Sequence, residues 1–396
     1  MAANSVTQIA ESDNASPQSK VQVIPLDRIF EGLTDERKRR GKVYTLTSLC
    51  LLLLLGLMCG KRGPTSIARW FRKLPFLTRI RLRFPLGRSP APATLCRLLQ
   101  DLDVLELERN IRLWVLAVNT ELAAAGRAQR IALDGKTLRV AAKRGAEAAH
   151  LLAAFSHELK TVLGQVAVEH KTNEINLVVD LLDQLVVAGR LLTMDALLTQ
   201  RKIAQEIIDR QGDYLMIVKK NQPQLHEDIR MCFDEEALRD EARRSAQTTS
   251  KGHGRLEVRE IVTSSALKDF LDWPGLEQVL LIRRIITKLK TDETRTEEVY
   301  AITSLPPERG SPEALLAANR GHWGIENSLH WIRDVTLGED HCPICKKDAP
   351  QAFAALRNLM LALMRWLGHT NMAAAIDLYS ARPESALITM GVTTGT

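Results

Sequence analysis

The sequence is poor in aromatic residues, in cysteine and in long apolar runs. Aromatics make up 5% of its 396 residues, so most of the core has to be aliphatic. Six cysteines, at 50, 59, 96, 232, 342 and 345, keep no regular spacing. That argues against a disulfide framework and fits a reducing cytoplasm. The opening stretch MAANSVTQIAESDNASPQSK is polar, unlike the apolar segment of a signal peptide. The longest apolar run, LTSLCLLLLLGLMCG, spans 15 residues at 46–60, whereas a membrane-crossing helix needs about 20. With Gly56 inside it and Gly60–Lys61–Arg62 closing it, the run reads as a buried helix with a glycine stop.

What is present is a mild basic excess, unevenly spread. Net charge is +7, and between Asp35 and Arg88 there are fourteen Lys or Arg against two acids. That stretch suits a polyanion, or acidic partners of its own. Residues 1–20 are polar and expected to be a disordered tail. Residues 21–125 read as helical throughout, a basic unit of the kind that contacts DNA. At RIALDGKTLRVA (130–141) the pattern changes to short apolar runs between turns. HLLAAFSHEL and TVLGQVAVEH, with a turn at Lys160, follow as second and third strands. NEINLVVDLLDQLVVAG is amphipathic, RLLTMDALL a strand, TQRKIAQEIIDRQG a helix and DYLMIVKKNQ a strand. The order up to residue 222 is β-β-β-α-β-α-β. Residues 223–310 begin with a charged helix and continue as strands of antiparallel character. After Pro306–Pro307 one helix is expected from Ser311 through the Glu326 region, with a last helix behind it and a tail at 371–396.

Three acids occupy suggestive places. Asp134 follows the first strand stub, Asp195 ends the strand after the first helix, and Glu326 lies in the helix after the β-rich block. Three converging carboxylates repel one another unless a hard divalent cation neutralises them, and such cations prefer oxygen ligands. Singly each signal is weak, since acids at strand ends also form turns and caps. The stretch HWGIENSLHW (322–331) holds two of the nine His and two of the six Trp. Read with helical period, Glu326 shares a face with Leu329, His330 and Arg333, and with His322 and Trp323 one turn upstream. Arg333 could hold a phosphate bidentately, and Trp323 or Trp331 could stack on an unpaired base. The alternative is a helix with Trp in the core and charges at its rim.

The stretches ALDGKTLR (132–139), NEI (173–175), TMDALLTQ (193–200), DYLMIVKKNQP (213–223), KGHGRLEVR (251–259) and RGHWGIENSLHWIRDVTLGED (320–340) occur in that order. Together they resemble the DDE transposases of the ISAs insertion-sequence type, relatives of the IS-four group and of the H-repeat-associated proteins. The resemblance runs from about residue 25 to about 370. It implies an α/β fold: an RNase H-like catalytic core (β-β-β-α-β-α-β-α) with an inserted β-rich domain and an all-helical N-terminal domain. The units would be 21–125, 126–222, an insertion at 223–310, and 311–370 returning to the core. It implies that Asp134, Asp195 and Glu326 bind Mg²⁺ or Mn²⁺ and carry out cleavage and strand transfer of DNA. Their separations, 61 and 131 residues by subtraction of the residue numbers, leave room for the insertion. In IS-four-like relatives a Tyr and an Arg precede the glutamate and a Lys follows it by seven positions. Here Asn319, His322 and Arg333 stand at those offsets, so the Tyr has no heir.

Further residues have DNA-facing readings. Lys136 and Arg139 flank the first Asp and are either phosphate ligands or plain surface charge. Lys219, Lys220 and Asn221 end a strand and can touch backbone. His253 and Arg255 lie in KGHGR, a loop open to a DNA backbone or a simple hairpin turn. HCPIC (341–345) resembles half of a zinc site without its second pair. Expected partners are double-stranded DNA, as transposon inverted-repeat ends and target, and a second copy of the chain. No membrane and no small-molecule substrate is expected, and a cytoplasmic, bacterial, nucleoid-associated setting is. A domesticated, catalytically silent DNA-binding protein and a metal-dependent nuclease with the same core are the rival readings.

Overall fold

The computed structural model describes residues 26–37, 42–118, 130–137, 150–168, 174–234, 243–252, 254–344 and 346–392. The expected tail at 1–20, Arg139 and His253 lie outside them.

The apolar stubs found in the sequence become strands. β1 (Arg130–Thr137), β2 (His150–Ser156) and β3 (Val162–Val168) form an antiparallel meander, with Lys160 in the left-handed region (φ 54) at the second turn. After α7 (Glu174–Leu182), strand β4 (Leu191–Met194) pairs parallel with β1. After α8 (Arg201–Asp209), β5 (Asp213–Val218) pairs parallel with β4. Strands covered on both faces need apolar residues at successive positions rather than alternation, and LLTM is buried at every residue. The expected element order is the observed one.

The strands of the β-rich block do not fold apart. After α9 (Pro223–Asp234), β6 (Arg244–Gly252), β7 (Arg255–Ser264), β8 (Gln278–Lys288) and β9 (Thr294–Thr303) run antiparallel, and β9 pairs with β5. Among the described residues nine strands make one sheet, in the order β3-β2-β1-β4-β5-β9-β8-β7-β6. The Leu215↔Thr303 and Val218↔Tyr300 pairings carry the block onto the open edge of β5.

The two faces are covered by different helices. Leu192 and Met216 pack with Ile203, Ala204 and Ile207 of α8 in the large core, whereas Leu191 and Leu215 pack with Leu315, Leu316 and Ala318 of α10 (Pro312–His322) in a second core. Alternation along the strands assigns these sets to opposite faces.

The N-terminal helices are α1 (Asp27–Glu31), α2 (Leu46–Met58), α3 (Pro64–Phe71), α4 (Phe76–Arg81), α5 (Pro92–Asp101) and α6 (Val104–Val118). The leucine-rich α2 is buried at all but one of its residues. It packs against α1, α3 and α5, and also against α11 (Ala349–Trp366), α12 (Met372–Ala381) and α13 (Pro383–Thr389). A helix apolar all round needs neighbours on every side, and these helices supply them. No helix among the described residues is long and apolar enough to cross a membrane. The expected C-terminal tail is thus two helices at 372–389. Met372, Ala375, Ile376 and Tyr379 recur at helical spacing and are buried in the common core.

Candidate active site

β1 and β4 pair from Arg130↔Leu191 to Leu133↔Met194. Asp134 and Asp195 stand one step beyond that last pair, and Asp195 keeps extended backbone (φ −78, ψ 169). In-register residues of parallel strands point to the same face, and such strands lie about 4.8 Å apart. Both carboxylates therefore leave adjacent strand ends on the face that α10 covers. Beyond α10 the chain turns at Trp323 and continues as a π-helical segment, Glu326–His330 and Ile332–Thr336, which brings the exposed Glu326 to the same end of the sheet.

The electrostatics join the three acids. The Asp134 carboxyl is pushed up to about 6, chiefly by burial, with repulsion from Glu326 and Asp195 adding to it. The Gly135 N–H, which donates to Asp134 Oδ1 at 2.8 Å, and the Lys136 charge pull the other way. Asp195 pairs with Lys219 from the end of β5 at 3.2 Å. His330 Nδ1 lies 3.5 Å from Asp134 Oδ2, and burial holds its imidazole near a pKa of about 3, hence neutral at pH 7. The carboxylates are close enough to repel. As they lie, no three His, Cys, Asp or Glu side chains among the described residues are close enough to hold a metal ion.

A polar chain seats the helix. Thr193, two residues before Asp195, has its Oγ1 3.2 Å from His157 Nε2 and 3.0 Å from His322 Nδ1. Burial lowers the pKa of both imidazoles. Gly321 passes so close to the His157 ring that a Cβ there would collide with it. This glycine is required by proximity, not by backbone angle.

Several of the expected residues come together in one cleft. Lys219, Arg255, His322 and Trp323 line a cleft of about 660 Å³ that also contains Asp195 and Glu326. Trp323 and Trp331 are 57% and 56% exposed, so neither is a core residue. Lys220 is exposed. Asn221 donates to the Ala196 carbonyl at 2.6 Å, and Gln222 donates to that of Thr199 at 3.0 Å. KKNQ therefore also fixes the loop that follows Asp195.

Two expected phosphate ligands face inward instead. Arg333 is 1% exposed and donates twice to Glu339, at 2.8 and 2.9 Å. Lys136 is 7% exposed and pairs with Asp334 at 2.6 Å. For Arg333 the reason is the helix type. Seven residues advance about 700° in an α-helix, returning to the same face, but only about 570° at the wider turn of a π-helix, roughly half a turn out of phase. Four residues stay nearly in phase in either, so His330 remains beside Asp134 while Arg333 rotates away.

The cleft's basic wall was missed: Lys251, Arg259, Arg284 and Arg320 line it with Arg255. Arg259 and Arg284 are register partners across β7 and β8, and both contact the buried Glu257. The signal was available, because Arg255, Glu257 and Arg259 alternate at strand period on one face.

A family model described as "Transposase DDE domain" matches residues 125–363, and one described as "DDE_Tnp_1-associated" matches 28–115. "Putative transposase YncI" of Escherichia coli O157:H7 is 32% identical over 282 residues, 70% of this chain and 71% of that protein. "H repeat-associated putative transposase YhhI" of Escherichia coli strain K12 is 33% identical over 245 residues, 59% of this chain and 63% of that one. Among solved structures, a piggyBac transposase synaptic complex with hairpin DNA aligns at TM-score 0.45 and 10% identity, over 94% of this chain and 82% of that chain.

Proposed function

The chain belongs to the DDE transposase family, and from that premise we propose that it cleaves transposon-end DNA and joins it to target through Asp134, Asp195 and Glu326. The observation that carries the assignment is the register of β1 and β4, with Asp134 and Asp195 level on adjacent parallel strands and Glu326 near enough to push the Asp134 carboxyl up. The strand order β3-β2-β1-β4-β5, antiparallel over the first three and parallel from β1 to β5, supports an RNase H-like core.

Three mutually repelling carboxylates, relieved only in part by Lys219 and Lys136, suit a hard divalent cation, Mg²⁺ or Mn²⁺. Bound there, such ions would supply charge neutralisation at the scissile phosphate and a more acidic attacking hydroxyl. Glu326 is exposed on its segment and is the member with room to move toward the other two. The protein's own groups do the rest. Lys219 and Lys220 at the end of β5, and Lys251, Arg255, Arg259, Arg284 and Arg320 along the cleft, hold backbone phosphates and set the register of the strand. Trp323, at the cleft mouth, offers a face to an unpaired base. His330 accompanies Asp134 as a neutral neighbour, and His322 seats the helix end. The partners are inverted-repeat ends and target DNA, held by two copies of the chain at the nucleoid.

The test is a labelled duplex carrying the element's terminal repeat, incubated with Mg²⁺ and either wild-type or Asp134→Asn protein. The variant is expected to lose nicking by about 10³-fold or more while binding the duplex within about twofold. Wild-type nicking by that variant would overturn the assignment. Pre-cut ends and a circular target then read strand joining directly.

A further inference from the structure

We propose a second DNA site, away from the carboxylate cleft: the pocket between α3 and the 338–343 turn, which grips the phosphodiester backbone of a duplex. The pocket has a volume of about 550 Å³, and Lys61, Arg62, Arg69, Lys73, Trp70 and His341 line it without a single acid. None of these four Lys and Arg residues pairs with a carboxylate among the described residues, although elsewhere in the same helical layer Arg37 pairs with Asp35 and Arg83 with Asp27. Four like charges around one concavity repel one another, and the fold does nothing locally to neutralise them. A ligand bearing repeated negative charge would.

The sequence builds this face deliberately. In α3, Ile67, Ala68 and Phe71 turn inward, while Arg69 and, just past the helix, Lys73 turn outward one turn apart. The Lys61 ammonium lies 5.6 Å from the centre of the Trp70 ring, a cation–π contact that orients it without discharging it. Arg62 lies against Gly338, which is in the left-handed region (φ 62) and where a Cβ would come within 2.8 Å of Arg62 Cδ. Gly338 ends the segment that carries Glu326, so the pocket abuts the chain leaving the active site. A pocket of this size far exceeds the roughly 30 Å³ share of a single water-sized occupant. It suits a run of backbone rather than one small anion. That the polyanion is DNA rests on the transposase reading; that the pocket takes phosphodiesters does not.

The experiment uses the full chain and a fluorescent 40-base-pair duplex of mixed sequence, titrated at several salt concentrations. Each phosphate contact contributes about 0.9 to the slope of log affinity against log salt. Arg69→Ala with Lys73→Ala should lower that slope by about two and weaken binding about tenfold or more near physiological salt. Arg69→Lys with Lys73→Arg should keep both. Arg69 and Lys73 are exposed, so melting should be unchanged, and that is checked on the same samples. An unchanged slope in the alanine protein with wild-type melting overturns the proposal, as does an equal loss in the charge-preserving protein. Metal-dependent nicking is read in parallel. Nicking with an unchanged slope sinks the pocket alone, whereas a lowered slope without nicking in any protein sinks the catalytic reading alone.

Discussion

Replacing Glu339 with Gln probes the buried support of the candidate active site. Its carboxylate is 5% exposed, accepts from Arg333 at 2.8 and 2.9 Å and from Arg357 at 3.0 Å, and has Lys136 at 3.8 Å. Burial pulls its pKa up, but Arg333 and Arg357 together outweigh burial and hold it at about 2, against an ordinary 4.5. At about 1.4 kcal/mol per pKa unit this is roughly 3 kcal/mol of stability at neutral pH. Removing one partner of a buried pair costs about 3–5 kcal/mol by mutational precedent, so the two routes agree. Because the folded value is depressed, the stabilisation is complete above the unfolded value and is lost as pH falls from about 4.5 toward 2. Unfolding entropy of about 2.1 cal/mol/K per residue over the whole chain converts 3 kcal/mol into a melting shift of about 4 °C. Circular-dichroism melts of both proteins, stepped from pH 7 to pH 3, should show that gap at pH 7 and less than about half of it at pH 3. A gap under 1 °C at pH 7, or one that ignores pH, would refute the reasoning.

Three further outcomes follow from the geometry. Gly321→Ala places a methyl against the His157 ring, costing about 1–3 kcal/mol and moving the end of α10; nicking should fall about tenfold or more with binding intact, and His157→Ala in the same chain should recover part of it. In metal-free protein the raised Asp134 pKa, about 6, means stability is lost as pH rises from about 4 through 6, so Asp134→Asn should melt about 2–4 °C higher at pH 8 and nearly level at pH 4; Mg²⁺ should then raise the wild-type melting point and leave the variant's alone. Arg320→Ala and Arg284→Ala should each lower the salt slope of duplex binding by about one, and an unchanged slope would remove the cleft wall from the DNA path.

Much of the fold was legible because its signals are local. LLTM and YLMIV are mostly apolar at successive positions, as strands covered on both faces must be, and RKIAQEIID carries a clear helical face. The placing of Asp134 and Asp195 at neighbouring strand ends was legible for the same reason: each follows an apolar stub. What stayed hidden depends on contacts far apart in sequence. Nothing in TRTEEVYAIT tells that β9 docks on β5 rather than closing a separate sheet, since an antiparallel strand reads alike in either place. The helices at 372–389 stay hidden in the sequence because Met372, Ala375, Ile376 and Tyr379 become a face only against the common core that α2 shares. Lys136 is a cation whose partner, Asp334, is 198 positions away in sequence and 2.6 Å away in space.

The π-helical segment accounts for the inward turn of Arg333 and for the surroundings of Glu326. Such segments are rare and recur at functional sites, and here buried polar groups hold one in place. Arg365 from α11 donates to the Ser328 carbonyl within it, Arg333 is locked to Glu339, and Arg357 reinforces that pair. The hydrogen bonds continue from Arg333 through Asn358 and Gln165 to Glu108 on α6. Burial raises the Glu108 carboxyl to about 7, against the pull of Gln165 and Gln351. The N-terminal helices and the segment that carries Glu326 therefore share one buried polar core. An α-helical segment would have put Arg333 on the face of Glu326, where a guanidinium would compete with a cation for the carboxylates. The wider turn removes that cation into the core, where Glu339 satisfies it. It leaves a neutral imidazole beside Asp134 and an exposed Glu326 that pushes the Asp134 carboxyl up, a charge balance that suits the divalent ion of the proposed function.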